Sequence, residues 1–218
     1  MSNNNKLVRS LALAGLLAAS GASQAAITMY TTLSSFTAAV LELGTDTFDD
    51  LDPTEALGFG LQTRSAGNFT YVGEVPQSNF FGAGTTADVW LSTNGALNTM
   101  EFKNFSAGVA AFGGNIFGSN LAGGFSSGSF IVTAEDADGV FTTRIDNPTT
   151  ASFLGFVSSR GSLIEATIAA VSEPNSPVVF PTINNLVLAA VPEPETYALM
   201  LAGLGLVGFM ARRRRVVG

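Results

Sequence analysis

The 218-residue sequence contains neither cysteine nor histidine. Without cysteine the chain can form no disulfide bond and offers no thiol nucleophile. Without histidine it can have no Ser-His-Asp triad, no histidine-ligated zinc and no imidazole base that works near neutral pH. Enzymes that use a pair of carboxylates are the class that these two absences leave open.

Basic residues are scarce in the long central part of the chain. Residues 26–190 contain fifteen acidic residues and only four basic ones, which gives a net charge of −11. A surface of this sign repels nucleic acids and anionic lipids, because each phosphate contact needs a cation. We therefore expect no nucleic-acid partner. The excess of acids would instead attract divalent cations or keep a secreted domain soluble.

The N-terminus has the order of a secretory signal peptide. Lys6 and Arg9 supply a positive start, residues 11–19 are apolar, and small residues follow up to Ala25. The apolar run is shorter than the roughly 20 residues that span a bilayer. A buried N-terminal helix is the alternative, but the polar first five residues disfavour it. We predict export by the general secretion machinery, with signal peptidase cutting between Ala25 and Ala26, so that residues 1–25 are the signal peptide.

A second apolar segment lies near the C-terminus, in the order motif, apolar run, basic cluster. Residues 192–194 read Pro-Glu-Pro, residues 197–210 are uncharged, and residues 212–215 are all arginine. A sixteen-residue helix would reach only about 24 Å, less than the roughly 30 Å of a hydrocarbon core. Flanking arginines can snorkel, so we predict a short transmembrane helix with its basic end in the cytoplasm and residues 26–190 outside. An ordinary single-span anchor is the alternative.

This three-part tail resembles the PEP-CTERM sorting signal of exopolysaccharide-producing Gram-negative bacteria. The resemblance covers residues 191–215 and depends on the order and spacing of the three parts. It implies that an exosortase-type membrane protease recognises Pro192, Glu193 and Pro194 and removes the tail close to them. The membrane-flanking basic cluster of this signal would be Arg212, Arg213, Arg214 and Arg215. Tails of this kind are also labelled as an ice-binding protein C-terminal domain, but that label carries no information about ice.

The resemblance also implies a route through the cell. The chain would pass transiently through the inner membrane as an intermediate and then reach the cell surface or the extracellular matrix. Exopolysaccharide would be a partner there.

Between the two ends, the composition and spacing of the sequence are typical of a β protein. Short runs rich in Phe, Val, Ile and Thr are separated by Gly, Pro, Asn-Gly and Asp-Gly. The one convincing helix is predicted over residues 32–43, where apolar residues recur every three or four positions and Gly44 follows. Nine strands are predicted at residues 68–73, 87–92, 99–105, 109–113, 129–134, 140–145, 152–158, 163–171 and 182–188. We expect residues 26–190 to form one mainly β domain, an antiparallel two-sheet sandwich with jelly-roll-like connections.

Parts of this domain resemble the β-sandwich ectodomains that are common among PEP-CTERM proteins. Residues 109–117, 135–139, 152–158 and 183–188 carry the resemblance, which covers about half of the domain. It implies a jelly-roll fold akin to carbohydrate-binding modules. It supports the fold more than any activity.

Two acidic segments are candidates for calcium binding. Asp136-Ala-Asp138-Gly139 begins like a calcium loop, but residue 147, where an EF-hand needs glutamate, is asparagine, so a hairpin turn is favoured. The densest cluster is Asp46, Asp49, Asp50 and Asp52. A structural calcium ion there would have ligands from Asp49, Asp50 and Asn184, because jelly-roll topology can bring the last strand close to the first. A solvated acidic loop is the favoured alternative.

Trp90, the only tryptophan, is either a core residue or part of a sugar-binding surface. A core position is favoured, because lone tryptophans more often fill cores.

We predict a surface or matrix protein without catalytic activity. A glycan-binding module of the same fold is the first alternative, and an exposed aromatic strip would favour it. A carboxylate-dependent hydrolase is the second alternative, and two carboxylates about 5–9 Å apart in a cleft would favour it.

Overall fold

The computed structural model describes residues 27–172, 174, 178–191, 200–205 and 207. In the described part of residues 27–191 it contains fourteen strands and one short helix, α1, at Leu33–Thr37. The strands are β1 (Ile27–Tyr30), β2 (Glu42–Asp46), β3 (Gln62–Ala66), β4 (Phe69–Glu74), β5 (Phe80–Thr85), β6 (Asp88–Thr93), β7 (Thr99–Lys103), β8 (Ala111–Ser119), β9 (Phe125–Ser126), β10 (Ser129–Asp136), β11 (Gly139–Asp146), β12 (Phe153–Ser158), β13 (Glu165–Ala170) and β14 (Phe180–Ala190).

The strands form two antiparallel sheets that pack face to face. The large sheet has the order β1-β12-β8-β14-β6-β5, with β2 added to β14 and β9 added to β8. The small sheet has the order β11-β10-β13-β7-β4-β3. This arrangement confirms the predicted mainly β sandwich. It also confirms the turn at Asp138-Gly139, because Asp136 pairs with Gly139 where β10 and β11 meet.

The core between the two sheets is rich in aromatic residues. On the small sheet, buried and solvent-facing residues alternate along β4, β7, β10 and β13, as expected for a sheet with one wet face. The central strands of the large sheet are buried on both faces. The fully enclosed side chains include Phe80, Phe102, Phe112, Phe130 and Phe156.

Two small layers cover the outer face of the large sheet. At one end Phe36 of α1 packs on Phe153, with ring centroids 5.4 Å apart. Further along, Trp90 packs edge-to-face on Phe117 at 4.9 Å. The loop after β8 folds over this second cluster, where the Gly123 carbonyl accepts a hydrogen bond from Gly84. The sandwich therefore buries apolar surface in more than one layer.

The helix predicted over residues 32–43 was wrong in its second half. Thr32 caps α1 by accepting a hydrogen bond from the Ser35 amide, but the helix ends at Thr37. Residues 42–46 instead form β2, which pairs with β14. Gly44 does not stop a helix, because it lies within β2 and packs directly against the backbone of Ala66. A local periodicity of three and four was overridden by pairing with a strand 140 residues away.

Candidate functional site

The acidic cluster after β2 is organised around one buried ion pair. Asp46 is buried, and both of its carboxylate oxygens accept hydrogen bonds at 2.8 Å from the Arg64 guanidinium. The Tyr71 hydroxyl and the Phe48 amide donate to the same carboxylate at 2.8 and 3.1 Å. The Arg64 guanidinium also lies over the Phe48 ring, 5.1 Å from its centroid. A buried carboxylate with this many donors is fully satisfied.

Arg64 also binds Asp50, which lies at the surface. Nη2 donates to Asp50 Oδ1 at 2.6 Å and Nη1 donates to Asp50 Oδ2 at 3.2 Å. These hydrogen bonds lower the pKa of Asp50. Burial lowers the pKa of Arg64, but its hydrogen bonds to Asp46 and Asp50 raise it by more, so that it stays charged. Burial, and then the negative charge of Asp46, raise the pKa of Tyr71.

The residues predicted to bind calcium are therefore in different surroundings from those expected. Topology does bring the last strand to the cluster, since Leu186 of β14 pairs with Asp46 of β2. However, Arg64 already holds Asp50, and Asp52 binds the amide and hydroxyl of Thr54 at 2.8 and 2.6 Å. Asp49 is exposed to solvent. In the part of the chain that the structure describes, no three acidic side chains are grouped so that they could hold a metal ion.

Asn184, the third predicted ligand, shapes a β-bulge in β14. The register with β8 shifts between Asn184 and Val187, and Asn185 has a φ of 49°. Asn184 Oδ1 accepts a hydrogen bond from the Asn185 amide at 2.7 Å, and its Nδ2 donates to Asp88 at 2.8 Å. Asparagine tolerates this left-handed conformation better than most residues. Both polar atoms of the Asn184 side chain are thus engaged in the bulge.

The aromatic residues that the structure describes do not form the strip that a glycan-binding surface would show. Trp90 is 9% exposed and Tyr71 is 1% exposed, so both belong to the core. Among the described residues, the aromatic side chains with large exposure are Phe59 and Phe125, and they lie in different parts of the chain.

A small pocket lies at the end of the large sheet where β8 and β6 finish, and it has a volume of about 50 Å³. Ligand pockets for drug-sized molecules usually have about 300–1,000 Å³. At its base, the hydroxyls of Ser92, Ser119 and Thr182 hydrogen-bond to one another at 2.9–3.0 Å. No acidic residue is among the described residues that line it: Phe81, Ser92, Thr93, Asn94, Ser119, Asn120, Leu121 and Phe180.

Two groups of surface carboxylates are paired with cations. Lys103 binds Glu74 at 2.6 Å and Glu101 at 3.0 Å on the outer face of the small sheet, and these contacts raise its pKa. Arg160 binds Asp138 at 2.6 Å and lowers the pKa of that carboxyl. A hydrolase needs one carboxylate to be protonated and its partner to be free to act as base or nucleophile. An ammonium or guanidinium group between or beside the carboxylates favours the ionised form of both instead.

The final residues of the sandwich show where the C-terminal tail begins. Ala190 ends β14, and its carbonyl accepts a hydrogen bond from the Leu41 amide at 2.9 Å. Val191 follows and packs against the cluster that contains Phe36 and Ala189. In the sequence, Pro192 comes directly after Val191. The Pro-Glu-Pro motif is therefore joined to the folded domain with only one residue between strand and motif.

Comparison with family models assigns the segment that begins at this point. The model described as PEP-CTERM protein-sorting motif matches residues 190–215. The chain carries a PEP-CTERM sorting motif. This motif indicates export, membrane-associated sorting and processing by exosortase, a membrane protein. Neither the curated proteins nor the solved structures contain a match to the chain.

Several predicted residues of the sorting pathway lie outside the described residues. These are Ala25 and Ala26 at the signal cleavage point, Pro192, Glu193 and Pro194 of the motif, and Arg212, Arg213, Arg214 and Arg215. Residues 200–205 of the PEP-CTERM tail are helical. None of the helices within the described residues has the length and hydropathy needed to cross a bilayer.

The Arg64 network was not predicted from the sequence. The favoured interpretation of the cluster was a solvated acidic loop, whereas Asp46 is buried at the end of β2. One signal was available, because Arg64 is the only basic residue between Arg9 and Lys103 and follows the acidic cluster closely.

Proposed function

We propose that this protein is exported, loses its C-terminal tail to exosortase, and then acts without catalysis at the cell surface or in the exopolysaccharide matrix. The observation that carries the proposal is the PEP-CTERM motif, which begins where β14 of the sandwich ends. Signal peptidase and the general secretion machinery act first in this scheme, and the inner membrane holds the precursor transiently.

The interior of the sandwich supports a non-catalytic role. Asp46, the buried acid of the cluster after β2, is saturated by hydrogen bonds from Arg64, Tyr71 and Phe48. The buried hydroxyls of Ser92, Ser119 and Thr182 bond to one another. Polar groups that satisfy each other stabilise a fold and are not poised to receive a substrate.

Processing can be tested by mass spectrometry of the surface protein from a host that contains exosortase. We expect the mature protein to lack Arg212–Arg215 and to begin at Ala26. Replacing a motif residue, Glu193→Ala, should leave the uncut precursor in the inner membrane. Glu195→Ala is the matched control, because it removes the same side chain just outside the Pro-Glu-Pro motif, and we expect it to be processed normally.

Intact arginines on the mature surface protein would refute exosortase processing. Equal processing of Glu193→Ala and Glu195→Ala would show that the motif glutamate is not recognised.

The glycan-binding alternative requires a different result from a binding experiment. The two exposed aromatic residues and the small pocket give it little support. Retardation of the mature domain in gels that contain the host exopolysaccharide, compared with gels that contain an unrelated neutral polymer, distinguishes a binder from a protein that only resides in the matrix. Hydrolysis of that polysaccharide by the mature domain would instead favour the carboxylate-dependent hydrolase.

A further inference from the structure

Both ends of the chain leave the sandwich on the same side. Thr28 of β1 pairs with Val157, Val157 with Ala111, and Ala111 with Ala189 of β14. Three strand spacings separate β1 from β14, so these two strands are about 14 Å apart in this row. One residue beyond the row lie Ile27, the first residue of β1, and Ala190, the last residue of β14. We call this side of the sandwich the exit end.

The opposite side lies a full strand length away, and we call it the far end. β14 contains eleven residues, which corresponds to about 35 Å. At its far end Thr182 pairs with Ser92 of β6, and β6 continues outward to the turn that contains Leu97. Leu97 is 74% exposed, while Leu41 at the exit end, bonded to Ala190, is 72% exposed.

The connections from the exit end to the two apolar segments of the sequence are short. Residues 20–26 connect the apolar run of the signal peptide to β1, and residues 191–196 connect β14 to the apolar run of the tail. An extended chain covers at most about 3.6 Å per residue, which limits these connections to about 25 and 22 Å. Neither connection can reach around a sandwich about 35 Å long, whatever its conformation.

We propose that the exit end of the sandwich faces the lipid surface of the inner membrane in the precursor, with the far end pointing away from it. This inference rests on the proposed function, because it requires that the tail is inserted before it is removed. The partner is the outer leaflet of the bilayer next to the inserted tail. The exposed side chains that the geometry brings closest to it include Leu41 and Leu43, which is 37% exposed and pairs with Ala189. Exosortase must then cut within a narrow gap between sandwich and bilayer.

Energy transfer to labelled lipids tests this orientation. Because the chain has no cysteine, Leu41→Cys and Leu97→Cys each introduce a single attachment point for a donor dye. The two variants are matched, since both replace a leucine of nearly equal exposure. Each full-length protein is reconstituted into liposomes without exosortase, with and without acceptor-labelled lipid. We expect donor emission at position 41 to fall several-fold more than emission at position 97 when the acceptor is present.

Equal loss of donor emission at the two positions, in protein that floats with the liposomes, would overturn the orientation alone. A greater loss at position 41 that appears only when exosortase is added would show that the protease, and not the short connection to the tail, sets the orientation, and would overturn the inference. Protein that fails to float with the liposomes would overturn tail insertion, and with it both the proposed function and this inference.

Discussion

The buried carboxylate of Asp46 depends on a single cation, the guanidinium of Arg64. Removing one partner of a buried ion pair typically costs about 3–5 kcal/mol, because the other charge stays in the interior without compensation. Tyr71 and the Phe48 amide would still bind Asp46, so we expect Arg64→Met to cost about 3 kcal/mol. For a domain of this size that corresponds to a fall in Tm of roughly 10 °C, measurable by circular dichroism.

A matched control is Arg144→Met, which removes an arginine from an exposed pair with Asp146. Exposed pairs contribute about 0–1 kcal/mol, so this variant should melt close to the wild type.

The effect of Arg64→Met should also depend on pH. Arg64 lowers the pKa of Asp50 in the folded state, so this part of the stability is present above the ordinary value of 3.8 and is lost as the pH falls through the lowered pKa. If the difference in the free energy of unfolding between wild type and Arg64→Met became larger below pH 4, the ion pair would not be its cause.

At the scale of elements, β2 and β3 approach each other without room for a side chain. A Cβ atom on Gly44 would overlap the carbonyl oxygen of Ala66, at the corner where the large and small sheets meet. We expect Gly44→Ala to push the two strands apart and to cost about 1–3 kcal/mol, as overpacked sites usually do. Gly58→Ala is the control, because its nearest atom is Gln62 Nε2 at 4.0 Å. Urea unfolding of both variants measures the difference, and equal stability would mean that the corner can relax freely.

Neighbouring carboxylates on the outer face of the small sheet give a second prediction at this scale. Glu165 lies directly opposite Glu135, and burial followed by the negative charge of Glu101 raises its pKa. For an acid with a raised folded-state pKa, stability is present at low pH and is lost as the pH rises through that pKa. We therefore expect Glu165→Gln to stabilise the domain at pH 7 by a few tenths of a kcal/mol, roughly the size of a cross-strand pair effect.

The gain from Glu165→Gln should shrink as the pH falls below the ordinary value of 4.5, because wild-type Glu165 then becomes protonated in both the folded and the unfolded state. The exposed loop residue Glu55 provides the control Glu55→Gln, which should change Tm little at either pH. A gain at pH 4 as large as the gain at pH 7 would mean that repulsion is not the cause.

The elements that could be predicted from the sequence are those with a local signal. Each of the nine predicted strands overlaps a strand of the structure, and the Asp-Gly turn between β10 and β11 is where the sequence indicates it. The strands that were missed have weak local patterns. β5 has the sequence FFGAGT, and β2 has the sequence ELGTD, which fits a helix as well as a strand. β5 becomes a strand because it pairs with β6, and β2 becomes a strand because it pairs with β14. A short window of sequence cannot show such backbone pairing.

The same contrast between local and long-range signals applies to the tail motif and to the acidic cluster. The tail was predictable because its motif, apolar run and arginines are contiguous in sequence, and the family model confirms it. The acidic cluster was not predictable in detail, because its partner Arg64 comes from a different strand and the sequence does not show which of the four acids it binds.

At the scale of the whole molecule, the surplus of acids allows a test of divalent-ion binding. Because Arg64 and Thr54 already bind Asp50 and Asp52, we expect millimolar calcium to change Tm no more than sodium chloride of equal ionic strength does. Thermal unfolding in calcium, magnesium and chelator measures this. A rise of several degrees in calcium alone would instead indicate a structural ion. A ligand at a hundredfold excess over its Kd adds about 2.7 kcal/mol.

The position of β14 has a consequence for the timing of secretion. β14 is the last strand to be synthesised, yet it lies inside the large sheet and pairs with β8, β6 and β2. A chain that crosses the membrane from its N-terminus must therefore deliver almost all of its residues before the sheet can close. β1 also cannot pair until β12 has been delivered, because β12 is its partner. The contacts are long-range, and such topologies fold slowly. In the proposed export scheme, the large sheet can therefore close only when the sorting tail itself enters the export channel, so that its closure and membrane capture coincide.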